Sequence, residues 1–466
     1  MPSYRLRPQR LCQLLLLLWP LFISASIVTH LPGFHGPLPF HLETGYVGVD
    51  EVQFFYYFIE SEGNPAHDPL LLWLTGGPGC SSFCALVFQN GPLKFRSVKY
   101  NGSLPTLVYH PFSWTKVSNM LFLDSPAGAG FSFSDTPETC INGDVTSSLR
   151  VHKFIRKWLI DHSKFLSNPL YVGGDSYAGK VVPFITHLIS QGIESGPPPL
   201  LNLKCYSVQG YLIGNPFTGE VIDKNARVPY AHNMGIISDE IYKSTTLFCE
   251  GEDYENPTKV LCAKKLQVVE KYFDEIDMYY ILAPKCPQAS LKPKNLNGER
   301  RFLKDGRKKF IVPSDVPPLK CKSYGYYLSS IWANDDVVRD ALHIQKGTVP
   351  EWIRCNHNFQ YAFDLPSNVK YQHNLTSRGY RALVYSGDHD LVVPHIGTQT
   401  WIRSLNYSII DDWRSWFSGG QVAGYTRTYA NNLTFATIKG AGHTVPEYKP
   451  KESLAMVKRW LSNQPL

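Results

Sequence analysis

Charge is scarce in this chain. Asp, Glu, Lys and Arg together make up 18% of its 466 residues, too few for a disordered solvating chain or a coiled coil. The formal net charge is only +7, and it falls to +4 outside the first 26 residues, where Arg5, Arg7 and Arg10 stand without an acid. Apart from one stretch, dense basic runs are missing, so no nucleic-acid partner is expected. The sequence also lacks a repeat at a fixed period, a collagen-like glycine pattern and any spacing of a zinc or calcium site. Beyond the N-terminus no apolar run reaches the roughly 20 residues that cross a membrane. What is abundant is apolar: 43% hydrophobic and 13% aromatic residues, ample for a large core. The length leaves the number of domains open.

The first residues have the order of a secretory signal. Three arginines precede an apolar run from Leu11 to Val28 that includes Leu14 to Leu18 in succession, and small residues Ser24, Ala25 and Ser26 follow. Pro20 and Gln13 interrupt the run, which favours cleavage near Ser26 over an uncleaved anchor. Residues 1–26 are thus expected to be a signal peptide and 27–466 the mature chain, with no membrane contact after removal. Of ten cysteines, Cys12 leaves with the signal and nine enter a compartment where disulfides form. At least one must stay free. Sequons at Asn101, Asn374, Asn406 and Asn432 are candidate glycosylation sites in that compartment.

Along the chain, Val52 to Phe58 and Leu70 to Leu74 read as a strand pair around the polar turn Ser61 to Asp68. Met120 to Leu123 is a further short strand. A helix is expected from about Val145 to Leu159 with Leu149, Phe154 and Trp158 on its apolar side, then a strand from Pro169 to Val172 and a helix from Ala178 to Ser190. This alternation predicts an α/β fold with a central, mainly parallel sheet covered on both faces. After the strand Val208 to Ile213 the rhythm breaks. An insertion is expected over about 217–330, with a helix from Val260 to Phe273 and a Pro/Lys/Arg-rich linker over 291–320. The rhythm resumes with a helix from Trp332 to Leu342, a strand from Ala382 to Ser386, a hairpin from Tyr425 to Ile438 and a last helix from Leu454 to Leu461.

The candidate chemistry centres on Gly174-Asp175-Ser176-Tyr177-Ala178-Gly179, between a strand and a helix. So sharp a turn strains the serine and exposes its hydroxyl, which requires small residues two positions away on each side. Gly174 and Ala178 meet that need. A serine also needs a base to take its proton and an acid to orient the base. Gly440-Ala441-Gly442-His443 follows a strand and supplies the base. Tyr385-Ser386-Gly387-Asp388-His389-Asp390 ends another and supplies the acid, expected to be Asp388 with Asp390 and His389 as rivals. The order serine, acid, histidine is that of the α/β-hydrolases. Gly76-Gly77-Pro78-Gly79, after the Leu70 to Leu74 strand, can bring bare N–H groups to a developing oxyanion. No Lys-Ser or Lys-Thr follows these glycines, which argues against a phosphate loop.

Trp73-Leu74-Thr75-Gly76-Gly77-Pro78-Gly79-Cys80-Ser81-Ser82, the serine turn, Trp332-Ala333-Asn334-Asp335 and Gly442-His443 together resemble the serine carboxypeptidase family of α/β-hydrolases, from about Gly33 to the C-terminus. The resemblance implies an α/β-hydrolase fold, the triad Ser176, Asp388 and His443, an oxyanion hole from the N–H groups of Gly77 and Tyr177, and a lid made by the insertion. It also implies disulfides Cys80–Cys355, Cys249–Cys262 and Cys286–Cys321, leaving Cys84, Cys140 and Cys205. No metal or cofactor is implied.

Departures from the peptidase pattern narrow the reading. Carboxypeptidases of the family hold the peptide carboxylate with an Asn before the two glycines, a Glu before the nucleophile and a second Glu nine residues after the Gly-Pro-Gly-Cys cysteine. Here those positions are Thr75, Asp175 and Gln89. Misplacing such a contact by about 1 Å can cost on the order of 100-fold. Thr75, Gln89-Asn90-Gly91-Pro92-Leu93 and Ser167-Asn168-Pro169-Leu170-Tyr171 resemble the plant serine carboxypeptidase-like acyltransferases, whereas Ala178 is the peptidases' residue. The expected activity is transfer of an acyl group from a 1-O-β-glucose ester to an alcohol or similar acceptor, with Thr75, Gly76, Gln89 and Asp175 at the substrate. The alternative is a serine carboxypeptidase; a non-catalytic binding protein would need no triad. The expected destination is the secretory pathway, vacuolar or extracellular. The linker over 291–320, with nine basic residues against Glu299, Asp305 and Asp315, is expected to be exposed and open to proteolysis, giving two chains joined by Cys286–Cys321.

Overall fold

The computed structural model describes residues 25–136, 140–194, 208–286 and 316–466. Most of the expected signal segment, nearly all of the basic linker, Cys12 and Cys205 lie outside these residues.

Short β-branched and leucine-rich runs, buried along all or nearly all of their length, build the centre of the molecule. Leu71 and Trp73 of the strand Leu70–Leu74 point into one core, and Leu70, Leu72 and Leu74 into another. Both faces are therefore covered, and the strand reads as continuous apolar sequence rather than alternating. The described residues form a twelve-stranded sheet in which Asn119–Leu123, Leu70–Leu74, Leu170–Asp175, Val208–Gly214, Arg381–Gly387 and Leu433–Ile438 run parallel in that spatial order. Antiparallel strands extend both sides: Val52–Ile59, Leu42–Val49 and Ser26–Val28 on one, Gln421–Tyr429 and Ile409–Ser418 on the other. This is the α/β-hydrolase architecture.

Helices Asp144–Asp161, Ala178–Glu194, Val369–Ser377 and His395–Ser404 pack on one face, through side chains such as Phe154, Trp158, Val182, Ile185, Leu375 and Trp401. Phe83–Phe88, Lys322–Ala333 and Pro450–Leu461 cover the other. The chain leaves the sheet after Gly214 and rejoins it at Arg381. In between, Arg227–Asn233, Asp239–Phe248 and Val260–Phe273 surround a third, smaller core clasped by the Cys249–Cys262 disulfide.

Three local expectations differ from the structure. Val52–Ile59 and Leu70–Leu74 do not pair, because Asn119–Leu123 lies between them, antiparallel to the first and parallel to the second. The helix expected from Trp332 to Leu342 is two, Lys322–Ala333 and Asp336–Ala341; Asp335 leaves the helical conformation and its carboxylate caps the N–H groups of Val337 and Val338. Leu149 is exposed, and the buried side of its helix is carried by Val151, Phe154, Ile155, Trp158 and Leu159.

Candidate active site

Thr75 to Gly77, Asp175 to Tyr177, Asp388 to Asp390 and His443 sit at or just past the C-terminal ends of parallel strands, the edge where ligands bind in open α/β sheets, whereas Gln89 follows the helix Phe83–Phe88. Ser176 follows Leu170–Asp175 and has φ 58°, the left-handed region a non-glycine residue avoids. Three backbone hydrogen bonds hold it there. Its N–H donates to Gly214 O at 2.9 Å, and its carbonyl accepts from Gly179 N at 2.9 Å and Phe217 N at 3.0 Å. Close packing explains the small neighbours: a Cβ on Gly174 would lie 2.6 Å from the Ala178 Cβ, and one on Gly179 would lie 2.5 Å from the Pro216 Cβ.

The glycine loop presses directly on this turn. A Cβ at Gly76 would meet Ser176 Cβ at 2.7 Å and Tyr177 N at 2.8 Å, so only glycine lets the two segments approach. Neither Gly77 N–H nor Tyr177 N–H donates to another group of the described residues. Two free donors on adjoining turns can receive one oxyanion. The loop is held from below by Asp124, which accepts from Ser81 Oγ at 2.8 Å, Ser82 N at 2.7 Å and Phe131 N at 2.9 Å. Cys80 is tied to Cys355 by a disulfide, and Asn356 N donates to Gly79 O at 3.0 Å. Thr75 Oγ1 donates to Ser82 Oγ at 3.3 Å.

His443 is buried, its N–H bonded to Tyr279 O at 2.7 Å and its ring against the Tyr279 ring. Its carboxylate partner is not Asp388. His443 Nδ1 lies 2.7 Å from Oδ2 of Asp390, which also accepts from Asn215 Nδ2 at 2.8 Å and Val393 N at 3.2 Å, while Oδ1 accepts from Val392 N at 2.8 Å. Asp388 is turned to its own loop: its Oδ1 lies 2.5 Å from His389 Nδ1 and accepts from Gly440 N at 2.7 Å. Fully buried and met by several donors, Asp390 is the carboxylate that can orient the imidazole. Burial by itself would pull the His443 pKa down; the Asp390 charge and its hydrogen bond outweigh that and hold it above its ordinary value.

Asn215 was not among the residues expected from sequence. Its amide bridges two strand ends, donating to Asp390 Oδ2 and accepting from Gly387 N at 3.0 Å, and its φ is 41°. The available signal was position: Gly214-Asn215-Pro216 ends an apolar strand, as Asp175-Ser176 does. Tyr279 is also new, and it brings the region inserted between Gly214 and Arg381 against the histidine.

Gln89 and Asp175 meet beside Ser176, Gln89 Nε2 donating to Asp175 Oδ2 at 3.0 Å. The other oxygen of each, Gln89 Oε1 and Asp175 Oδ1, is buried without a partner. Burial pushes the Asp175 pKa up to about 6 against the pull of the nearby His443 charge, the Gly76 backbone N–H and the Gln89 amide. Disulfides also join Cys249 to Cys262 and Cys286 to Cys321, while Cys84 and Cys140 are free thiols. The sequon residues Asn101, Asn374, Asn406 and Asn432 are all exposed.

The model of the serine carboxypeptidase family matches residues 32–463. The chain belongs to the serine carboxypeptidase family. It is 50% identical over 448 residues to serine carboxypeptidase-like 7 of Arabidopsis thaliana, covering 95% of this chain and 94% of that one. Serine carboxypeptidase-like 2 of the same plant is 49% identical over 464 residues and 97% of both chains. Among solved structures, Kex1(Δ)p, a prohormone-processing carboxypeptidase from Saccharomyces cerevisiae, superposes with a TM-score of 0.68 over 91% of both chains at 18% identity, a likeness of fold. A serine carboxypeptidase family enzyme with disulfides fits the secretory pathway. Among the described residues no helix is long and apolar enough to cross a membrane.

Proposed function

We propose that this enzyme is an acyltransferase that moves an acyl group from a 1-O-β-glucose ester to an alcohol or similar acceptor through an acyl-enzyme on Ser176. His443 takes the Ser176 proton as the hydroxyl attacks the ester carbonyl, then gives it to the departing glucose oxygen. The same imidazole deprotonates the acceptor hydroxyl, whose oxygen attacks the acyl carbon; the acyl–Oγ bond breaks and the imidazolium returns the proton to Ser176 Oγ. Asp390 holds the imidazole in the required tautomer and stabilises its charged form, and the N–H groups of Gly77 and Tyr177 stabilise both tetrahedral intermediates. The cycle uses no metal or cofactor. Thr75, Gly76, Gln89 and Asp175 border the donor, and the segment inserted over 217–330 acts as a lid that sets the choice of acyl group and acceptor. The enzyme acts after loss of the signal over 1–26, in the vacuole or outside the cell.

One observation carries the choice of a sugar ester over a peptide. Gln89 Oε1 and Asp175 Oδ1 are buried acceptors without donors. A peptide's terminal carboxylate would bring a negative charge and no donor to them. A polyol brings O–H groups that satisfy both. Purified protein offered a phenolic glucose ester with mixed alcohols, and separately a blocked dipeptide, should release glucose, form new esters and leave the dipeptide intact. Dipeptide cleavage without ester formation would establish the peptidase reading instead.

A further inference from the structure

The oxyanion donors proposed above stand on two separate pieces of chain, and the structure contains a device that joins them. Asp144, the first residue of Asp144–Asp161, is fully buried. Its Oδ1 accepts from the hydroxyls of Tyr177 at 2.7 Å and Tyr361 at 3.0 Å. Its Oδ2 accepts from Leu365 N at 3.1 Å and lies 3.3 Å from Nζ of the buried Lys180. One carboxylate thus gathers the helix that starts at Asp144, Tyr177 next to Ser176, Lys180 in the first turn of Ala178–Glu194, and the segment from Tyr361 to Leu365.

That last segment also reaches the other donor. It continues back through Phe359, whose ring would be 2.7 Å from a Cβ on Gly79, and through Asn356, bonded to Gly79 O, to Cys355, tied to Cys80. The strap from Cys355 to Leu365 is therefore fixed to the Gly77 loop at one end and, through Tyr361 and Asp144, to Tyr177 at the other. The Tyr177 ring leaves little room for drift, packed between Phe217 at 5.9 Å and Tyr361 and Phe363 at 6.2 and 6.0 Å.

We infer that Asp144 is a positioning residue for the oxyanion hole: by holding the Tyr177 and Tyr361 hydroxyls on one oxygen it sets the distance between the Tyr177 and Gly77 N–H donors. Asp144 is fully buried and so out of a substrate's reach, and its loss is expected to act on the transition state and spare ground-state binding. This inference rests on the Ser176 acyl-enzyme but not on the identity of the acyl donor.

The test uses the full chain as wild type, Tyr177→Phe, Tyr361→Phe, Asp144→Asn and the Tyr177→Phe/Asp144→Asn double variant. Three quantities are read: kinact and KI for a fluorophosphonate, the affinity of a phenylboronate whose tetrahedral adduct places an oxygen in the hole, and the melting temperature. Tyr177→Phe keeps the backbone N–H yet should lower kinact and boronate affinity together by about 10- to 100-fold, with KI nearly unchanged. Asp144→Asn should do the same, the double variant should be no worse than Asp144→Asn alone, and Tyr361→Phe should shift both quantities less. If Asp144→Asn does not fold, the two tyrosine variants decide. Unchanged kinact in folded Tyr177→Phe, or losses that follow only the folded fraction, would overturn the inference. A wild-type chain that takes no fluorophosphonate would overturn the Ser176 reading and this inference with it.

Discussion

His443 and Asp390 set the pH response of the proposed reaction through a single contact of 2.7 Å. The base must be neutral to take the Ser176 proton, and its pKa is raised, so a higher pH is needed to free it. The acid limb of kcat/KM is therefore expected above the ordinary imidazole value of about 6.5. Asp390→Asn removes the charge that raises it; the limb should move to lower pH while kcat falls on the order of 10⁴-fold. Asp388→Asn breaks a contact with His389 and Gly440 only, so it should leave the limb in place and cost far less. Profiles of kcat/KM against pH for the three proteins check both outcomes. An equal collapse in Asp388→Asn would return the orienting role to that residue.

At the scale of elements, the turn after each parallel strand does more than connect. The strand Leu170–Asp175 is followed by Ser176 at φ 58°, and the loop after Leu70–Leu74 closes onto it through Gly76. Any side chain there strikes backbone and the Ser176 Cβ, none of which can swing aside. Gly76→Ala should thus open the gap between the two donor turns and cut the rate of fluorophosphonate labelling by on the order of 100-fold, with secondary structure kept. Labelling at the wild-type rate would show that the turns need not touch. The strand runs, the serine turn and the Val260–Phe273 helix were legible because each depends on local pattern. The break at Asp335 was not, since three polar residues, Asn334-Asp335-Asp336, also fit the exposed side of one continuous helix, and only the contacts of the Asp335 carboxylate with Val337 N and Val338 N mark a new start.

On the scale of the whole molecule, the disulfide Cys286–Cys321 spans the basic linker, so a cut within 291–320 would leave the two parts covalently joined. The proposal that the linker is processed predicts one band without reductant and two unequal bands with it, for protein from its native secretory source. An intact chain that is fully active would show that processing is unnecessary. Lys322 follows the second cysteine and forms an ion pair with Glu447 at 3.1 Å, four residues beyond His443, so the linker's end borders the loop that carries the base.

The α/β pattern, the strained serine turn, the glycine loop and the order serine, acid, histidine were written in the sequence, because strand length, apolar runs and the demand for small residues at a sharp turn are local properties. Strand order was not, since Asn119–Leu123 enters between two strands that are neighbours in sequence. Nor was the choice between Asp388 and Asp390, two carboxylates separated by one residue at the same strand end. Asn215 and the N–H groups of Val392 and Val393 gather on Asp390 and bring it to His443, whereas Gly440 captures Asp388. Val392 and Val393 are neighbours of Asp390 in sequence, but Asn215 and Gly440 come from distant parts of the chain, and only the folded arrangement of hydrogen bonds decides which carboxylate meets the imidazole.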